Sequence, residues 1–98
     1  MIVHIVLFNV KETSQTKQEN ILQFKTALDA LPNHIREIQK LEVGLNFNES
    51  PNGWDLSLYT EFNSKEDLNT YQIHPEHLKV VELVKQITTD RAVSDYER

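Results

Sequence analysis

The segment from Ile2 to Phe8 reads Ile-Val-His-Ile-Val-Leu-Phe. Seven residues rich in β-branched and aromatic types are strand length rather than helix length. Side chains alternate across a strand, so Val3, Ile5 and Leu7 share one face while His4, Val6 and Phe8 share the other. Both faces are apolar apart from His4. A strand of this kind needs cover on two sides, which makes it the organising element of the sheet it joins.

The residues from Lys11 to Asn20 are polar, and Thr16 with Glu19 three positions later has capping-box spacing, although Thr13 or Ser14 also suits a cap. The helix that follows carries Ile21, Phe24, Leu28 and Leu31 on one stripe, with Lys25 and Asp29 outside it, and Pro32-Asn33 ends it. Ile35 to Leu45 is assigned to strand 2, of which the second half alternates. Asn46 to Gly53 collects turn formers, with Asn52-Gly53 suited to positive φ. Trp54 to Phe62 then alternates as strand 3, with Trp54, Leu56, Leu58, Thr60 and Phe62 in one row. Ser64 and Asp67 have cap spacing for a short second helix bearing Leu68 and Tyr71. His74-Pro75 interrupts it, since the residue before proline avoids the α region while proline suits the first turn of a new helix. A third helix from Glu76 to about Ile87 aligns Val80, Leu83, Val84 and Ile87, and Arg91 to Tyr96 alternates as strand 4.

The order βαββααβ predicts an α+β fold: a ferredoxin-like protomer with a four-stranded antiparallel sheet and helices on one face. A right-handed crossover makes strands 1 and 3 central and strands 2 and 4 edges. The second face of strand 1, and the apolar row of strand 3, then need another cover. An exposed apolar patch of that size predicts a homodimer.

Composition narrows function by exclusion. The 98 residues suit one domain spanning 1–98, and a formal charge of −5 lacks the positive field that nucleic acids select for. No apolar stretch reaches the roughly 18 residues of a membrane span, and the first eight residues lack a cationic leader and cleavage site, so a cytoplasmic protein is expected. The chain has no cysteine, which removes thiolate nucleophiles and zinc–thiolate sites. His74, Glu76 and His77 do not form a His-Glu-x-x-His motif, and Pro75 interrupts their helix. Neither a metal nor an organic cofactor is expected.

Several segments together resemble the stress-responsive A/B barrel family, the dimeric α/β barrel or Dabb domain. They are His4-Ile5-Val6-Leu7-Phe8, Gly44, Asp55-Leu56-Ser57-Leu58 with Glu61-Phe62, Tyr71-Gln72-Ile73-His74-Pro75-Glu76-His77, and Asp95-Tyr96. The resemblance covers nearly the whole chain, and Tyr-x-x-His-Pro-x-His is its most specific part. It implies a ferredoxin-like protomer whose sheet packs on that of a second copy. By similarity to plant polyketide cyclases of that family, it also implies a mainly apolar cavity with Tyr71 and His77 as catalytic residues and His4 beside them. A further histidine of those cyclases falls at about Leu56 here, so the polar set is incomplete.

On this reading Val6, Phe8, Phe24, Leu56 and Leu58 line the cavity and a small polyketide-like molecule is the ligand. His77 lies in the first turn of its helix, where backbone N–H dipoles disfavour the cation and suit a general base. His74 is a second-tier candidate, because a histidine before proline serves equally to cap the following helix. The alternative is a non-enzymatic, stress-protective homodimer. A monooxygenase-like barrel, using Trp54 and a histidine, ranks below both.

Overall fold

The computed structural model describes residues 1–98. Its elements are β1 (Ile2–Val10), α1 (Lys17–Asp29), a 3-10 turn (Leu31–Asn33), β2 (Lys40–Leu45), β3 (Leu56–Phe62), α2 (Lys65–Ile73), α3 (Pro75–Ile87) and β4 (Thr88–Glu97). The strands form one antiparallel sheet in the order β2-β3-β1-β4. The expected ferredoxin-like α+β arrangement is therefore present, with β1 and β3 central. No helix is long and apolar enough to cross a membrane.

Local chemistry explains the helix ends. Thr16 and Glu19 close a full capping box: the Glu19 amide donates to the Thr16 hydroxyl at 3.1 Å and the Thr16 amide donates to the Glu19 carboxylate at 3.1 Å. Ser64 caps α2 by accepting from the Asp67 amide. At the other junction His74 closes α2 and opens α3, with Pro75 as the first residue of the new helix.

Long-range contacts shift three boundaries. Ile35 and Ile38 are buried in turns rather than in β2, which starts only at Lys40, because the chain must first climb from the end of α1 back to the sheet edge. β3 starts at Leu56. Asp55 just before it is engaged elsewhere, its carboxylate accepting from the Val10 amide at 2.8 Å and pairing with Lys17 at 3.1 Å. β4 begins at Thr88, directly after α3, since the whole length of β1 offers it hydrogen-bond partners. The Asn52-Gly53 turn also differs from expectation, as no residue of the chain has positive φ. Gly53 is needed for space: a Cβ there would lie 2.8 Å from both the Asn46 amide nitrogen and the Asn48 carbonyl.

Register assigns the faces. His4 opposes Thr60, Val6 opposes Leu58 and Phe8 opposes Leu56, and this row faces the helices, with the Phe8 and Phe24 rings 4.8 Å apart edge to face. The row Leu56, Leu58, Thr60, Phe62 is wholly buried beneath the helices. It needs no second cover, contrary to expectation, because the outward row of β3 is Ser57, Tyr59 and Glu61. The apolar part of the outward face is supplied by β1, where Val3 is buried and Ile5 and Leu7 are half-buried. A polar network borders it: the Tyr59 hydroxyl donates to Glu61 at 2.7 Å, and Arg98 donates to both.

Candidate functional site

Three side chains from three elements converge between the sheet and α3. His4 lies in the middle of β1, flanked by Thr60 and by Asp95 of β4. The Thr60 hydroxyl donates to the His4 carbonyl at 2.8 Å, and the His4 ring nitrogen Nδ1 is hydrogen-bonded to the Asp95 carboxylate. This pairing leaves Nε2 as the nitrogen available to a ligand. The Asp95 carboxylate thereby selects the tautomer of His4 and holds its ring.

Tyr71 enters from α2 with its ring packed on Phe62, at 5.1 Å between centroids. The His77 ring lies 4.4 Å away and the His4 ring 6.1 Å away. Tyr71 is only 1% exposed, and its hydroxyl has no hydrogen-bond partner. Burial raises its pKa far above the ordinary phenol value, so it stays protonated as a donor. A buried donor left unpaired costs about 1–3 kcal/mol, which is why such groups are rare away from sites that take a ligand or water.

His77 sits in the first turn of α3, and its Nδ1 donates to the Gln72 carbonyl in the last turn of α2 at 3.0 Å. Nε2 therefore keeps its lone pair. Its pKa is lowered, chiefly because burial disfavours the cation; the Gln72 hydrogen bond opposes the shift, while the Coulombic influence of neighbouring His4, Arg91 and His74 adds to it. The imidazole is neutral near pH 7, and desolvation contributes most of the effect that the helix dipole was expected to supply.

His74 is placed differently. Its Nδ1 accepts from the Glu76 amide at 3.1 Å as the N-cap of α3, and it does not line the cavity. Its ring is committed to the helix junction.

The cavity beside His4, Tyr71 and His77 has a volume of about 430 Å³, within the usual range for small-molecule sites. Val6, Phe8, Phe24 and Leu58 line it, joined by Leu28, Val80, Val84 and Val93. Leu56, also expected in the lining, does not reach it: at the start of β3 it is paired between Phe8 and Leu45 and packs in the core. Trp54 is half-buried and also outside the lining. Sequence reasoning missed Asp95, Lys85 and Arg91. The alternation of the individual strands is legible, but the pairing of β4 with β1 that puts Asp95 opposite His4 and Arg91 opposite Phe8 is not.

A sheet with all helices on one face, and beneath them a cavity bordered by a neutral imidazole and an unpaired phenol, defines a ferredoxin-like α+β protein with a small-molecule-sized cavity. The chain belongs to the Dabb family, the stress responsive A/B barrel domain, whose family model matches residues 2–98. It is 36% identical to a dimeric protein of unknown function from Bacteroides fragilis, covering 99% of this chain and 95% of that one with a TM-score of 0.87. It is 29% identical to a stress-response A/B barrel domain-containing protein of Arabidopsis thaliana, over 98% of this chain but 36% of that protein. A hydroxynitrile lyase from Passiflora edulis has the same fold at 20% identity, with a TM-score of 0.82 over 97% of this chain and 90% of the other.

Proposed function

We propose that the protein is a homodimer that binds a small carbonyl compound, of polyketide-like character, in this cavity and converts it by Tyr/His acid–base chemistry. The observation that carries the reading is the buried, protonated and partnerless Tyr71 hydroxyl beside the His77 imidazole. A ligand carbonyl oxygen supplies the acceptor that Tyr71 lacks. Nε2 of His77 then removes a proton from the carbon next to that carbonyl, and Tyr71 stabilises the enolate oxygen through its hydrogen bond. The carbanion closes on a second carbonyl of the same molecule in an aldol-type cyclisation, forming one C–C bond, and the resulting alkoxide recovers the proton from His77. His4, held by Asp95, orients the ligand from the opposite wall. The dimeric character of the Bacteroides fragilis relative and the apolar outward row of β1 support pairing through the open face of the sheet.

Screening apolar β-polyketone-like compounds, followed by turnover assays on His77→Ala, Tyr71→Phe and His74→Ala, tests the reading. His77→Ala is expected to lower turnover by roughly 10² to 10⁴-fold, and His74→Ala to act only through stability. Activity should persist to a pH below the ordinary histidine value of about 6.5, because the folded state holds His77 neutral. A chain that binds no such compound, while all three variants fold and dimerise normally, is instead a non-enzymatic protective homodimer.

A further inference from the structure

The mouth of the cavity departs from the rest of the surface in charge. In a chain of net charge −5, two cations, Lys85 and Arg91, stand among the lining residues against a single carboxylate, Asp90. Asp90 opposes Asn9, so alternation puts it in the other row of β4, and its carboxylate accepts from the Thr89 hydroxyl at 2.8 Å. Arg91 opposes Phe8 in the row that faces the helices, is exposed, and makes no ion pair. Lys85 reaches Glu82 only at 3.4 Å, with both side chains about two-thirds exposed, a contact of little energy. Their charges are available to a ligand. The walls between this mouth and Tyr71 are apolar, formed by Val6, Phe8, Val84 and Val93. Eight residues of helical rise place Lys85 about 12 Å along α3 from His77.

We infer that the site takes an elongated amphipathic acid, whose medium-length apolar body fills the trough toward Tyr71 and whose anionic head is held at the mouth by Arg91 and Lys85. This rests on the proposal that the cavity is a ligand site and names the ligand's second pole. Arg91 supplies a planar fork of donors suited to a carboxylate or phosphate, and Lys85 adds a mobile point charge. The head stays near water, so its desolvation cost is small, while the body gains from burial. The same arrangement orients the molecule, since only one end meets cations and only the other meets the Tyr71 donor.

Calorimetric titration of the whole protein at pH 7 and low salt, with decanol, decanoate and decyl phosphate, separates the two poles. Decanoate or decyl phosphate is expected to bind at least about tenfold more tightly than decanol, and the tighter of the two identifies the head. Arg91→Gln is expected to remove most of that preference and Arg91→Gln with Lys85→Gln all of it, leaving decanol binding unchanged. Lys79→Gln, on α3 but outside the cavity, should leave the preference intact. Equal binding of decanol and the two acids, or a preference insensitive to both substitutions, overturns the anionic head alone. Binding by none of the three probes overturns the ligand-site reading beneath it.

Discussion

The two rows of β1 are built from similar residues and meet different fates. The inner row, His4, Val6 and Phe8, is buried beneath three helices and borders a cavity. The outer row, Val3, Ile5 and Leu7, lies beside Ser57 and Tyr59 of β3 and Ala92, Ser94 and Tyr96 of β4, with no helix above it. The contrast sharpens in β3, whose inner row is fully buried and whose outer row is mostly polar. An apolar inner row thus runs across β2, β3 and β1 but not β4, whose inner positions are Arg91, Val93, Asp95 and Glu97, whereas an apolar outer row is confined to β1. A narrow apolar strip edged by the Tyr59–Glu61–Arg98 network has the pattern of an association surface, apolar in the middle and polar at its margin.

Opposite substitutions on the two rows should therefore fail differently. Leu58→Asp puts an unpaired charge in the inner row and is expected to cost roughly 4 kcal/mol or more, enough to unfold much of a domain whose total stability is about 5–15 kcal/mol. Chemical denaturation reads this, and unchanged stability would mean the rows are reversed. Ile5→Asp, half-buried on the outer row, should leave the helical signal intact while converting a dimer to an 11.5 kDa monomer in sedimentation. If the variant still sediments as a dimer, the open face is not the association surface.

A smaller effect separates function from stability within the inner layer. Tyr71→Phe keeps the ring packing on Phe62 and deletes an unpaired hydroxyl, so the free protein should become about 1 kcal/mol more stable while ligand binding weakens. Loss of stability in that variant would show that the hydroxyl is satisfied without a ligand.

The smallest expected effect lies at the margin of the outer face. The Tyr59 hydrogen bond, helped by Arg98 and Lys40, holds the Glu61 carboxyl below its ordinary range in the folded state. A depressed folded-state pKa contributes stability above the unfolded value, and that contribution disappears as pH falls through the folded value. Acid titration of stability should therefore show a component below the usual carboxylate range that Tyr59→Phe diminishes. An identical acid profile in the variant would remove Glu61 from the account.

Much of the fold is legible in short stretches of the chain. Thr16 with Glu19, Ser64 with Asp67, and His74 before Pro75 mark helix ends through contacts among residues two or three apart. The spacing Tyr71 to His77 likewise puts a phenol and an imidazole on either side of one helix junction. Asp95 shows the limit: it meets His4 across 91 positions of sequence, through a strand whose own residues are nearly all exposed and carry little pattern.

The element order, the helix caps and the apolar character of both faces of β1 are written in the sequence, because each depends on neighbouring residues and on strict side-chain alternation. Which row of β3 is covered, which nitrogens of His4 and His77 are free, that the Tyr71 hydroxyl is unpaired, and that Arg91 stands at the cavity mouth follow instead from three-dimensional packing. Those depend on strand register and on desolvation, and both arise only when distant segments close on one another.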